Sequence, residues 1–203
     1  MLHPYYQQTD VRAQLALQWQ TQPAMRIENL FTEDAITAMY EALATCPFTF
    51  SHLQTETLSF QYWKHLLRPD DLESPLRPLQ QWLATPGRQW VQDITGEPLE
   101  NANEPSTAAC LYTKGCFLDP HNDTGHGRAV AFVLGLTPGE WSRERGGWLH
   151  FLDGEGQTIS ARPPGFNTLD LFDVSAPHTL HEVPLLQAHL RRYTIAGWYY
   201  QPT

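Results

Sequence analysis

The sequence predicts an α+β fold: helices first, then an antiparallel sheet closed as a sandwich or barrel, for which a jelly roll is one solution. Three observations predict it. Residues 1–100 carry mainly helical patterns. From about residue 106 the pattern turns into short strand-like runs at regular spacing. Sixteen Pro and thirteen Gly punctuate the chain, which argues for many turns and against a helical bundle. At 203 residues the chain fits one domain over 1–203, with 1–100 as a mainly helical support and 106–200 as the strand core.

The elements follow in order. "MLHPYYQQTD" reads as an arm or a frayed end. "FTEDAITAMYEALATC" places Thr32 at an N-cap and acids in the first turn, with Ile36, Met39, Tyr40 and Leu43 on one stripe. "TLSFQYW" alternates and is aromatic, so an early strand is expected at 57–63. "PLRPLQQWLATPG" and "RQWVQDITG" read as two short helices, each ended by Gly or Pro. The strand half then runs "STAACLYT", "RAVAFVLGL", "GWLHFLD", "NTLDLFDV" and "RRYTIAGWYY". Lys114-Gly115, Thr137-Pro138-Gly139, Gly146-Gly147, Asp153-Gly154 and Pro163-Pro164-Gly165 mark the turns between them.

Composition excludes several functions. A net charge of -9 argues against nucleic acid or an anionic membrane as partner, since both need basic patches. Cys46, Cys110 and Cys116 form neither a disulfide framework nor a C-x-x-C zinc knuckle. The N-terminus lacks the basic start and apolar stretch of a signal peptide, and no apolar run reaches transmembrane length. A cytoplasmic setting is the expectation. Oligomeric state leaves no trace in the sequence.

The chemistry concentrates in "FLDPHNDTGHGRAVAF", where Asp119, His121, Asp123 and His126 crowd together. Two residues apart in an extended segment, His121 and Asp123 project to one face and can take adjacent corners of a metal ion. A third ligand from another strand would complete a two-His-one-carboxylate face, which leaves positions open and suits Fe(II) oxygenases. H-x-D alone is common by chance, and a polar turn explains "DPHND" equally well. Two candidates for the third ligand, His178 and His181, lie in "SAPHTLHEV". Further on, the period of two sets Arg192, Thr194, Ala196 and Trp198 on one face of the last strand and Arg191, Tyr193, Ile195 and Gly197 on the other. Arg192 with Thr194 offers a fork of donors and a hydroxyl, a clamp suited to a carboxylate.

Taken together, the strand half resembles the 2-oxoglutarate- and Fe(II)-dependent dioxygenases, on their prolyl 4-hydroxylase-like branch. "HND" resembles the family's H-x-D, and "HEV" its distal H-x-V. "RYTIAGW" resembles the ending R-x-S/T-hydrophobic-x-G-W, with Arg192 eleven positions after His181. "YTKGCFLDPH" resembles Y-x-x-G-x-F/Y-x-x-x-H, and "GGWLHF" the strand G-G-x-L-x-F. The resemblance covers residues 106–200 and implies a double-stranded β-helix, or jelly-roll, core.

It also implies roles. His121, Asp123 and His181 would be the metal ligands and the catalytic set, in preference to His178. Arg192, Tyr112 and Thr194 would bind the far carboxylate of 2-oxoglutarate. Arg128 and Trp198 would face the substrate. Asp119 is left to shape a turn, His126 to a loop at the mouth, and His150 to a packed or surface strand position. The cofactors implied are Fe(II), with 2-oxoglutarate and O2 as co-substrates, and ascorbate as an admissible accessory. The reaction implied is hydroxylation of a substrate carbon with release of succinate and CO2, and Asp123 sets the chain apart from related halogenases that lack this carboxylate. The substrate is a prolyl residue of a protein or peptide, or else a free amino acid or other small metabolite. A non-catalytic cupin-like binding module and a zinc hydrolase are the rival classes. The first would not need Arg192 and Tyr112 together with the metal set, and for the second the sequence shows neither an H-E-x-x-H helix nor an obvious general base.

Overall fold

The computed structural model describes residues 1–22, 24–68, 70–71, 73–101 and 106–202. Four α-helices precede most of the sheet: α1 (Thr9–Thr21), α2 (Glu33–Leu43), α3 (Arg77–Trp82) and α4 (Arg88–Thr95). Eleven strands lie among the described residues. They are β1 (Ala24–Glu28), β2 (Thr49–Gln54), β3 (Ser59–Leu66), β4 (Ala108–Tyr112), β5 (Phe117–His121), β6 (Arg128–Leu136), β7 (Leu149–Leu152), β8 (Thr158–Arg162), β9 (Phe166–Asp173), β10 (Leu180–Val183) and β11 (Arg192–Tyr200). All belong to one curled antiparallel sheet in the order β1-β9-β6-β11-β4-β3-β5-β10-β7-β8, with β2 paired on β3. This is the expected α+β architecture with a jelly-roll core.

Period-two alternation splits the core between two faces. Leu134, Leu136, Leu169, Leu171, Tyr193 and Ile195 point to the helices, where they meet Ile36, Met39, Leu79, Trp82, Trp90 and Ile94. The alternate positions Ala131 and Phe172 point into the barrel with Tyr112, Leu149, Phe151 and Val183. In α2, Ile36, Met39 and Leu43 are buried as the stripe requires, and Glu33 and Asp34 sit at the positive end of the helix dipole. Thr32 occupies the N-cap position with extended backbone, but its hydroxyl makes no capping bond. Gly96, at φ 74°, ends α4 in the left-handed conformation that glycine adopts without strain.

Two sequence expectations change. Besides the helices and the expected early strand, seen as β3, the first hundred residues supply β1 and β2 to the sheet, so they are part of the barrel as well as a support. The N-terminal stretch is tied down. The amide of Thr32 donates to Met1 O at 2.8 Å, Leu2 bridges Phe31, and α1 buries Val11 and Trp19 while Arg12 pairs with Asp93 at 3.0 Å. No helix among the described residues is long and apolar enough to cross a membrane.

The two ends of the sheet, β1 and β8, meet through side chains. Asp170 of β9 is buried and accepts from Arg26 of β1 at 2.9 and 2.7 Å and from Arg162 of β8 at 2.8 Å. Arg162 also donates to Ala24 O at 2.7 Å. A charged clasp therefore joins the edges where backbone pairing stops.

Candidate metal and co-substrate site

The pairing of β10 with β5 sets His181 directly opposite His121. Their rings lie 4.2 Å apart by centroid. Asp123 follows β5 and turns its carboxylate to both, with Oδ1 3.8 Å from His121 Nε2 and Oδ2 3.6 Å from His181 Nε2. One ligand atom of each residue lies within 4.8 Å of the others. Ligands about 2.1 Å from a common ion, on adjacent corners, stand roughly 3.0–3.4 Å apart, so a small closing movement completes a facial set.

The donor chemistry fits a metal. His121 Nδ1 donates to Asp119 O, and His181 Nδ1 donates to Thr179 O, each at 2.9 Å. A carbonyl can only accept, so each proton is fixed on Nδ1 and each Nε2 keeps its lone pair for the site. Burial, reinforced by His121 and opposed by Asp123 and the Thr179 bond, lowers the His181 pKa to about 4. That ring is neutral at neutral pH, as a ligand must be.

Asp119 does more than shape a turn. It lies within β5, and its carboxylate accepts the Ser59 amide at 3.1 Å while its carbonyl orients His121. His178 does not join the cluster. It is exposed, at φ 67°, in the loop before β10. His126, at φ 53°, is likewise exposed in the loop before β6. His150 pairs with Glu182 at 3.1 Å and does not line the metal pocket.

Beside the three ligands runs a cavity of about 400 Å³. Tyr112, Arg128, Arg192, Thr194 and Trp198 all line it, so the pocket brings these five together with His121, Asp123 and His181. Arg192 stands opposite Tyr112, and Thr194 opposite Cys110, across the β11–β4 pair. The Arg192 guanidinium lies over the Tyr112 ring at 4.7 Å and is only 3% exposed. Burial lowers its pKa, against the pull of Tyr112, Cys110 and Asp170. Among the described residues its Nε has no hydrogen-bond partner. Arg128 Nε and Trp198 Nε1 are buried without partners as well. Each such group costs about 1–3 kcal/mol unless a ligand or water meets it. A buried guanidinium with a free donor fits a ligand carboxylate. Arg128 stacks on Trp198 at 3.8 Å and approaches Asp123 Oδ1 at 3.9 Å.

Tyr62, Phe60, Leu118 and Cys110 also line the cavity; the sequence offers the first two only within an aromatic stretch, 48–65, that lines a groove or simply packs, and gives no sign of the other two. The signal for Phe60 and Tyr62 was the alternation in "SFQYW", which puts both on one face. Burial raises the Tyr62 and Tyr112 phenols and pushes the Cys110 thiol up to about 11, so all three are neutral donors at neutral pH.

The fold and the cluster together define a jelly-roll protein with a two-His-one-carboxylate cluster beside a cavity lined by a buried guanidinium. Comparison with known proteins agrees. Residues 107–200 match the model of the 2OG-Fe(II) oxygenase superfamily. The chain is 31% identical over 144 residues to the prolyl 3-hydroxylase OGFOD1 of Mus musculus, covering 66% of this chain and 26% of that protein. It is 34% identical over 134 residues to the Xenopus laevis prolyl 3-hydroxylase OGFOD1, covering 63% and 25%. The chain thus spans about a quarter of the length of these curated relatives. Its fold is similar to a Trichoplax adhaerens prolyl hydroxylase solved with a hypoxia inducible factor peptide, with a TM-score of 0.74, 17% identity, and coverage of 95% and 90% of the two chains. Residues 107–200 thus resemble the 2-oxoglutarate- and Fe(II)-dependent oxygenases, and the curated relatives and the solved structure to which the chain is similar are prolyl hydroxylases.

Proposed function

We propose that residues 1–203 form one 2-oxoglutarate- and Fe(II)-dependent dioxygenase domain that hydroxylates a prolyl residue of a protein, releasing succinate and CO2. One observation carries the reading: a buried Arg192 guanidinium with an unpartnered donor shares a cavity with the His121–Asp123–His181 cluster. A metal site and a carboxylate site in one pocket suit a chelating keto acid. They do not suit a zinc hydrolase or a metal-free binding module. The relatives named prolyl 3-hydroxylase support a prolyl substrate and make C3 the first carbon to examine.

The residues divide the work. His121 and His181 Nε2 with the Asp123 carboxylate would hold Fe(II) on one face. Arg192, Thr194 and the Tyr112 hydroxyl would hold the far carboxylate of 2-oxoglutarate by charge-assisted hydrogen bonds. When bound, iron, keto acid and O2 supply the oxidising power, which decarboxylates the keto acid and places one oxygen atom on the substrate carbon. The chain orients these partners and excludes water with the apolar wall of Leu118, Leu149, Phe172 and Val183. Arg128, braced on Trp198, would offer its unpartnered Nε to a peptide carbonyl beside the metal ligands.

The test is anaerobic addition of Fe(II) and then 2-oxoglutarate. A visible charge-transfer band is expected, lost in Asp123→Ala and His181→Ala and kept in His178→Ala. Its absence from folded wild-type protein would overturn the reading. With O2 restored, proline-containing peptides should gain one oxygen atom by mass spectrometry. Oxidation of free amino acids alone would move the assignment to a small-molecule hydroxylase.

A further inference from the structure

Tyr62 lines the pocket, yet no role above uses it. It sits where β3 changes partner. Residues 63–66 pair with β4, whereas Phe60 and Gln61 pair with β5. One strand thereby touches the strand of Tyr112 and the strand of His121. The Tyr62 ring is stacked on Tyr112, with centroids 5.1 Å apart and planes 15° from parallel. On the other side, across the β11–β4 pair, the Arg192 guanidinium covers the same Tyr112 ring. Arg192, Tyr112 and Tyr62 form a column across three adjacent strands.

The residues just before Tyr62 are anchored on β5 and on the turn that leads into it. Gln61 Nε2 donates to Gly115 O at 2.6 Å, which pins the turn between β4 and β5. The Ser59 amide donates to the carboxylate of Asp119 at 3.1 Å, the same residue whose carbonyl orients His121. Tyr62 is therefore fixed in place, and Tyr112 is held between two planar groups. Among the described residues the Tyr112 hydroxyl makes no hydrogen bond, so the column is what sets its direction.

We propose that Tyr62 is a positioning residue for the co-substrate, its ring holding Tyr112 flat against Arg192 so that phenol and guanidinium meet the far carboxylate of 2-oxoglutarate together. This rests on the functional reading above. The ring matters and the hydroxyl does not, because the contact is face to face.

The experiment is calorimetric titration of 2-oxoglutarate into Mn(II)-loaded protein, which binds without turnover, with Mn(II) affinity measured in parallel. Tyr62→Phe should match wild type within about twofold. Tyr62→Met, which fills space without a ring, should bind 2-oxoglutarate roughly tenfold more weakly, with Mn(II) affinity unchanged. In a Tyr112→Leu background there is no ring to position, so Tyr62→Met should have no further effect. The inference is overturned if Tyr62→Met binds as wild type, if Tyr62→Phe is as weak as Tyr62→Met, if both ligands are lost together, or if the two substitutions add. Failure of wild type itself to bind 2-oxoglutarate would instead remove the functional reading on which this rests.

Discussion

Arg192 shows how one residue can serve function against stability. A guanidinium that is 3% exposed and keeps a donor unpartnered is a cost to the folded chain, since burial disfavours its charge. Replacing it with Met removes that charge and keeps much of the volume. Arg192→Met should therefore leave the ligand-free protein as stable as wild type or more so by thermal melting. It should also weaken 2-oxoglutarate binding roughly 30-fold or more, the worth of a charge-assisted hydrogen bond. A fall in stability with unchanged binding would mean that Arg192 is structural. This residue was legible from its period-two face and its spacing after His181. Tyr62 was not, because an aromatic residue in an alternating run gives no sign of which ring it will stack against. His178 and His181 were separable by motif alone, and the physical difference lies in the backbone. His178 sits at positive φ in an exposed loop, while His181 is the cross-strand partner of His121.

At the level of elements, register does most of the positioning. β11 presents Arg192 and Thr194 inward because Tyr193 and Ile195 belong to the helix-side core. Gly197 keeps that strand close to its neighbours. A Cβ there would stand 2.7 Å from Phe132 Cζ and 2.7 Å from Thr107 Oγ1. Gly197→Ala should thus cost about 1–3 kcal/mol, a fall of roughly 2–10 °C in Tm, and should disturb Trp198 beside it. A variant that melts with wild type would show that the strand yields freely. The long strands β6, β9 and β11 were readable because apolar, β-branched and aromatic runs of eight or nine residues bounded by turn residues are a strong signal. β5, β8 and β10, of four or five residues, were not. They carry the polar residues of the site or lie at the sheet edge, so tertiary pairing and not local pattern makes them strands. β1 and β2 escaped for the same reason: five or six residues set among helices.

Across the whole molecule, two features bear on stability. Burial holds the Cys110 thiol at about 11 and raises the Tyr62, Tyr112 and Tyr199 phenols above their ordinary value. In the unfolded chain these groups ionise near their usual pKa of roughly 8.5 and 10. Above that range the unfolded state has released protons that the folded state retains. Stability from these groups is therefore complete below about pH 8.5 and declines as pH rises toward 11. Chemical unfolding across this range should show a falling midpoint, and a flat profile would contradict the burial of the four groups. The second feature is the clasp between the sheet's ends. Asp170 is 2% exposed and is shared by Arg26 and Arg162, which come from the two terminal strands of the sheet order. Removing the shared carboxylate leaves two guanidinium groups in a part-buried seam without their counter-ion. Breaking such a pair costs about 3–5 kcal/mol, a large part of the 5–15 kcal/mol typical of a folded domain. Asp170→Ala should lower the free energy of unfolding by that amount, read as a fall in the denaturant midpoint at unchanged m. Arg162→Met should cost much less, since Arg26 keeps its two-pronged contact with Asp170. If the two variants were equally destabilised, the loss would come from packing against Phe151, which lies 4.7 Å beneath the Arg162 guanidinium, and the seam would be held by that contact instead of by charge.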